Sequence, residues 1–171
     1  MVALYNNCNI ICKVIRYPSP PKPMALDGEF RGIVKSNWEV MVPAGTYVLG
    51  DPCYCTPDEH WHSLLESCNY FIDNPIGRLP SGESILGFGT AYGDGEYKDN
   101  FGRSFPVDAG LIGLVPLDVA ELDADPLYPD HVITFTRETL CKSEENGRYL
   151  SFGNTRIDTA PDEESEEGDE Y

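Results

Sequence analysis

Residues 47–62, YVLGDPCYCTPDEHWH, hold Asp51, Cys53, Cys55, His60 and His62, each of a type that binds metal or does covalent chemistry. Zinc is the first chemistry they bring to mind. Cys53 and Cys55 stand two apart, narrower than the roughly two-to-four-residue gap of structural zinc knuckles. His60 and His62 are also two apart, and on a helix such residues point about 200° away from each other. One metal does not take both histidines. The zinc alternative that survives uses one histidine with Cys53 and Cys55, against two boundary histidines on an exposed helix.

A cysteine nucleophile is the second chemistry. Cys53 lies where a strand gives way to a helix, and a helix N-terminus lowers a thiol's pKa. The base must be a histidine, and the sequence offers His60, His62 and His131. The first two project sideways from the helix, which leaves His131. The competing reading is a structural cysteine after a proline turn. Carboxylates are the third option. Asp51, Asp94 and Asp108 sit in the turns Gly50-Asp-Pro52, Gly93-Asp-Gly95 and Val107-Asp-Ala-Gly110. Aspartate caps turns locally, but three such turns on one sheet edge would hold Mg²⁺ or Ca²⁺, or act as acid and base. DGEYKD lacks the spacing of a calcium-hand loop. There is no G-x-S-x-G, no P-loop and no dinucleotide fingerprint, and Gly87-Phe-Gly89 lies inside a strand pattern with no helix after it. The ligand-binding candidates are therefore Asp51, Cys53, Tyr54, Tyr92, Asp94 and Asp108. No cofactor is expected beyond a divalent cation at Asp51, Asp94 and Asp108.

The elements that position these residues are mostly strands. CNIICKVIR (8–16) carries a β-branched run, which YPSPPKP (17–23) stops with a stiff, extended segment. Residues 29–35 and 38–42 read as a hairpin, and TYVLG (46–50) as the next strand. The spacing predicts a helix over 57–68: Thr56 as N-cap, Pro57 at the first position, Glu59 completing a capping box. Trp61, Leu64, Leu65 and Cys68 form its single apolar stripe. ILGFGTAY (85–92), EYKD (96–99), SFPVD (104–108), LIGLV (111–115) and HVITFTRE (131–138) follow as strands, with a short helix expected at 116–122. CKSEENGRYLSFG turns near Asn146-Gly147, and TRI (155–157) is a last edge strand. The expected fold is mainly β, a sandwich or partly closed barrel of about nine short strands with one amphipathic helix. Residues 1–157 are one domain and 158–171 a disordered acidic tail.

Charge narrows the partners. The 171 residues carry a net charge of −17. Seven acids in PDEESEEGDEY account for part of it, and without them −10 remains from −17. Such a body repels duplex nucleic acid unless its 12 bases cluster, although Lys13, Arg16, Lys22, Arg31 and Lys35 fall near the start. Six cysteines in a chain with an adequate core read as reduced thiols. No run approaches the roughly 20 apolar residues of a membrane span, and no secretory signal pattern opens the chain. A cytoplasmic setting is expected, a host cytoplasm if the chain is phage-encoded, with no membrane partner.

AGTYVLGDPCY (44–54), GTAYGDGEY (89–97) and FPVDAGLIGLVP (105–116) resemble a group of small uncharacterised proteins of tailed phages and their hosts. The resemblance covers about residues 44–116 and implies an accessory role without naming a chemistry. PDEESEEGDEY, acidic and ending in an aromatic residue, is similar to the C-termini of single-stranded-DNA-binding proteins. That likeness implies a tail that competes with DNA and docks partners. The leading expectation is a non-enzymatic binder of a host or phage protein or of a small ligand, acting in counter-defence or as a nucleic-acid mimic. The alternatives are a metal-assisted or cysteine hydrolase using Asp51, Cys53, Asp94 and Asp108, and a single-stranded-DNA-binding protein.

Overall fold

The structure is a computed structural model, and it describes the backbone of residues 13–15 and residues 37–122 and 128–160. Alternation of apolar and polar residues produces most of what it contains. Twelve strands are present among the described residues: β1 (Lys13–Ile15), β2 (Trp38–Val42), β3 (Gly45–Gly50), β4 (Ile76–Arg78), β5 (Ser84–Gly89), β6 (Gly95–Lys98), β7 (Ser104–Val107), β8 (Leu111–Pro116), β9 (Val132–Phe135), β10 (Thr139–Glu144), β11 (Tyr149–Phe152) and β12 (Thr155–Asp158). One five-stranded sheet runs β1-β2-β10-β11-β12, a second runs β4-β5-β8-β3-β9, and β6 pairs β7 in a two-stranded ribbon. All described pairings are antiparallel. The protein is mainly β, and among the described residues the sheets do not close into a barrel.

The second sheet is buried on both faces. Tyr47, Leu49, Leu86, Phe88, Ile112 and Leu114 point into a core shared with Val40, Cys141, Leu150, Phe152 and Ile157 of the first sheet and with Tyr97, Phe105 and Val107 of the ribbon. The alternate residues Val48, Ile85, Leu111 and Val115 meet α1 (Asp58–Ser67) through Leu64 and Cys68, and Phe71 just beyond it. This explains why all six residues of β8 are buried. A fully buried Phe or Leu contributes roughly 1.5–3 kcal/mol. Phe88, Phe105 and Phe152 all lie between the sheets, so that interface outweighs the helix contact. The helix sits close because two sheet positions lack side chains. A Cβ on Gly77 would stand 2.5 Å from Leu64 Cδ1, and one on Gly87 2.8 Å from the Phe71 ring.

Several expectations shift. The helix runs 58–67, with Pro57 as its cap residue and no side-chain cap bond, so the Thr56–Glu59 box does not form. The 3-10 turn Pro52–Tyr54 carries Thr56 into the interior, where its hydroxyl has no hydrogen-bond partner among the described residues. Residues 116–120 make one turn closed on the Pro116 carbonyl, not a helix. His131 ends the short helical turn α2 (Tyr128–His131), and strand follows only from Val132. β4 (Ile76–Arg78) adds a strand between the helix and residue 85, where none was expected. The folded body passes the expected boundary at 157: Asp158 completes β12, and buried Thr159 donates its hydroxyl to the Gly147 carbonyl at 2.7 Å. The proline-rich segment, the first arm of the expected 29–42 hairpin and the acidic tail from 161 lie outside the described residues. No described helix is long and apolar enough to cross a membrane.

Candidate functional site

β3 ends at Gly50, and Asp51 turns the chain because the following proline fixes its own φ and extends the residue before it. Asp51 is buried, yet its carboxylate is met on both oxygens. Oδ1 accepts the Cys53 amide at 3.0 Å, while Oδ2 accepts those of Asp108 at 2.9 Å and Ala109 at 2.7 Å. One side chain therefore clamps the Asp-Pro turn onto the turn between β7 and β8. That second turn is also gripped from its far side. Thr90 donates its amide to the Gly110 carbonyl at 2.9 Å and its hydroxyl to the Gly93 carbonyl at 2.6 Å, which the Tyr97 hydroxyl reaches at 2.9 Å. A Cβ placed on Gly110 would lie 3.8 Å from Asp94 Oδ1. The three stretches singled out in the sequence thus meet at one end of the second sheet.

Their chemistry differs from the one the residue types first indicate. Burial raises the Cys53 thiol's pKa, and the Asp51 charge, a thiol hydrogen bond to Asp51 and the Asp108 charge add to it. The helix N-terminus that should activate Cys53 is outweighed by two carboxylates and desolvation. These effects run against the nucleophile expectation, since they favour the protonated thiol. Cys55 is pushed up from 9.0 to about 12, by burial first and the Asp51 charge second. The Tyr54 hydroxyl donates to the Asp108 carboxylate, which together with burial raises its pKa. His131 is buried and stacked on Phe105, ring centroids 4.5 Å apart, while the Cys53 thiol is engaged by Asp51.

The histidines of α1 behave as a solvated face. His60 lies 3.5 Å from Glu59 and His62 3.2 Å from Glu66. Among the described residues, no three His, Cys, Asp or Glu side chains gather into a group able to hold a metal ion. Asp51, Asp94 and Asp108 share a neighbourhood but not a coordination centre, because Asp51 is turned onto backbone amides. The remaining surface is Tyr54, Tyr92, Asp94 and Asp108, all exposed, with Tyr92 60% accessible. The sequence did not reveal Thr90 and Tyr97, which lock the two turns together. Their only signal is position beside the Gly-Asp-Gly turn. Comparison with models of protein families, with curated proteins and with solved structures returns no match.

Proposed function

We propose that this chain is a non-enzymatic binding protein of phage type, which captures a host protein or a small ligand through the loops carrying Tyr54, Tyr92, Asp94 and Asp108. The observation that supports it is the state of Asp51. Its carboxylate, occupied by three backbone amides, is a clamp rather than a base, and it presents the neighbouring tyrosines and aspartates on a fixed frame. Binding surfaces gain affinity when their loops are ordered beforehand. Exposed tyrosines provide rigid contact area at low entropic cost. The hydrolase alternative has less support, since burial and the carboxylates beside Cys53 raise the pKa of its thiol. A counter-defence or nucleic-acid-mimic role would follow from the acidic surface.

The test is retention of a host protein by immobilised protein, compared with a Tyr92→Ala, Asp94→Ala, Asp108→Ala variant. The reading predicts a partner retained by the parent and lost by the variant. A mimic would release it steeply as salt rises. Equal retention by both proteins would remove the loops from the function. Turnover of ester or phosphodiester substrates that disappears with Cys53→Ala would instead restore the hydrolase.

A further inference from the structure

The outward face of the first sheet carries a groove that the loop cluster does not use. Register places Tyr149 opposite Glu144 on one side and Asp158 on the other. One step along, Ser151 stands between Lys142 and Arg156. An antiparallel bridge between Asp99 and Ile157 brings the end of β6 alongside β12, with Lys98 at its rim. Together these residues line a groove of about 590 Å³, within the range of small-molecule sites.

Its wall is fixed from behind. The buried Asp99 carboxylate accepts the amides of Phe101 and Arg103 and the Arg103 Nε at 2.7 Å. Arg103 donates onward to Thr155 Oγ1 and to the Asp130 carbonyl. Asn100 and Arg156 exchange two further bonds, at 3.0 and 2.8 Å. The floor therefore has its shape before any ligand arrives.

The groove brings two cations together. In a chain of −17, Lys98 and Arg156 both project here, and neither side chain has a partner among the described residues. Arg103, Lys142 and Arg148 are each paired with a carboxylate, Lys142 with Glu39 at 3.0 Å, whereas Arg78 and Arg137 stand singly on other parts of the surface. Beside these two free cations lies the Tyr149 ring, 38% exposed, with the Arg148 guanidinium over it at 5.1 Å. Two cations, an aromatic surface and the acceptors Ser151, Glu144 and Asp158 match an anionic group, a flat ring and polar hydroxyls or amines. We propose that this groove binds a nucleoside monophosphate, its phosphate on Lys98 and Arg156 and its base stacked on Tyr149. Arg and Lys take phosphate through charge-assisted bonds, and aromatic rings stack any base. A longer strand is disfavoured because Glu144 and Asp158 flank the groove and would repel its neighbouring phosphates. This inference does not rest on the loop-cluster reading.

The experiment is an amide NMR titration of the full chain with AMP, GMP, CMP and UMP, alongside adenosine, inorganic phosphate and an octanucleotide. Shifts should centre on Tyr149, Ser151 and Arg156. The double variant Lys98→Ala, Arg156→Ala should weaken the nucleotides about tenfold or more and leave adenosine unchanged. Tyr149→Ala should weaken nucleotide and nucleoside alike, and Arg137→Ala, an exposed cation elsewhere, should change nothing. All of these side chains reach solvent, and an unchanged circular dichroism spectrum confirms that each variant folds. Silence from all four nucleotides at several millimolar, or an unaltered response in the double variant, overturns the proposal. Inorganic phosphate binding as tightly as AMP removes the ring from the site, and an octanucleotide binding tighter than AMP replaces the proposal with a single-strand surface.

Discussion

Asp51 shows how a residue that looks catalytic is converted into scaffold. Truncation to alanine strands three amides, two of them belonging to the turn between β7 and β8. A buried polar group left without its partner costs roughly 1–3 kcal/mol. Asp51→Ala should therefore lose about 1–3 kcal/mol, water reaching part of the freed amides at this surface turn, read as the midpoint of urea unfolding. Asp51→Asn, which keeps one acceptor oxygen, should lose less. Equal midpoints for Asp51→Ala and the parent would show that the clamp holds nothing. Cys53 gives the complementary prediction. With its pKa raised, the thiol should react with iodoacetamide at neutral pH well below the rate of a small free thiol, because only thiolate attacks. Mass mapping of the alkylated chain checks this, and rapid labelling at Cys53 would return it to the list of nucleophiles. Residue types were fully visible in the sequence; what they face was not. A carboxylate and a thiol two apart read equally well as a reactive pair or as a turn.

Elements were legible wherever a pattern is local. The stripe Trp61, Leu64, Leu65 and Cys68 gave a helix at 57–68, and α1 spans 58–67. The capping box failed because a tertiary choice, burial of Thr56 behind the 3-10 turn, overrode a local preference. β4 was missed because a three-residue strand has too little length for alternation to show, and its pairing with β5 supplies the order. Nothing in the sequence announces how α1 ends either. Asn69, Tyr70 and Phe71 all adopt left-handed backbone, with φ of 50, 58 and 58°. Such a conformation costs a non-glycine residue roughly 1–2 kcal/mol. It is held because Phe71 fills the space above Gly77 and Gly87 and the Tyr70 amide closes on the Leu65 carbonyl at 2.8 Å. Tyr70 itself is 52% exposed, so its side chain contributes little to offset the strain. Tyr70→Gly should raise stability by a few tenths to about 1 kcal/mol, the relief being partly cancelled by glycine's freer unfolded chain. Tyr70→Val should lower it, β-branched residues tolerating this region worst. Thermal unfolding of the two variants orders them, and the reverse order would place the energy in a Tyr70 contact.

At the scale of the whole molecule, three motifs separated by tens of residues become one structure because the β5–β6 and β7–β8 turns and the end of β3 share an end of the second sheet. Strand order is set by pairing across the chain, which no single strand's residues encode. The groove on the first sheet was hidden for the same reason, since Lys98, Tyr149 and Arg156 are neighbours only through register. The convergence at the sheet end also sets a limit on stability. Cys53, Tyr54 and Cys55 are consecutive, and all three have raised pKa values in the fold. Each folded group holds its proton at a pH where the unfolded chain has already released it. Their contribution is thus complete below about pH 9 and is lost as pH climbs from there toward about 12, where Cys55 titrates in the fold. The slope reaches at most about 1.4 kcal/mol per pH unit for each thiol, and less for the solvent-screened Tyr54. Between about pH 8 and about pH 10.5 at constant ionic strength, the urea midpoint should fall. Removing one of the three acids with Cys55→Ala should flatten that fall, whatever it does to the midpoint at neutral pH. An equally steep fall in Cys55→Ala would place the alkaline weakness elsewhere in the molecule. A parent midpoint that stays level would mean that these groups ionise in the fold as freely as in the unfolded chain, and that the turn tolerates the charge it is built to exclude.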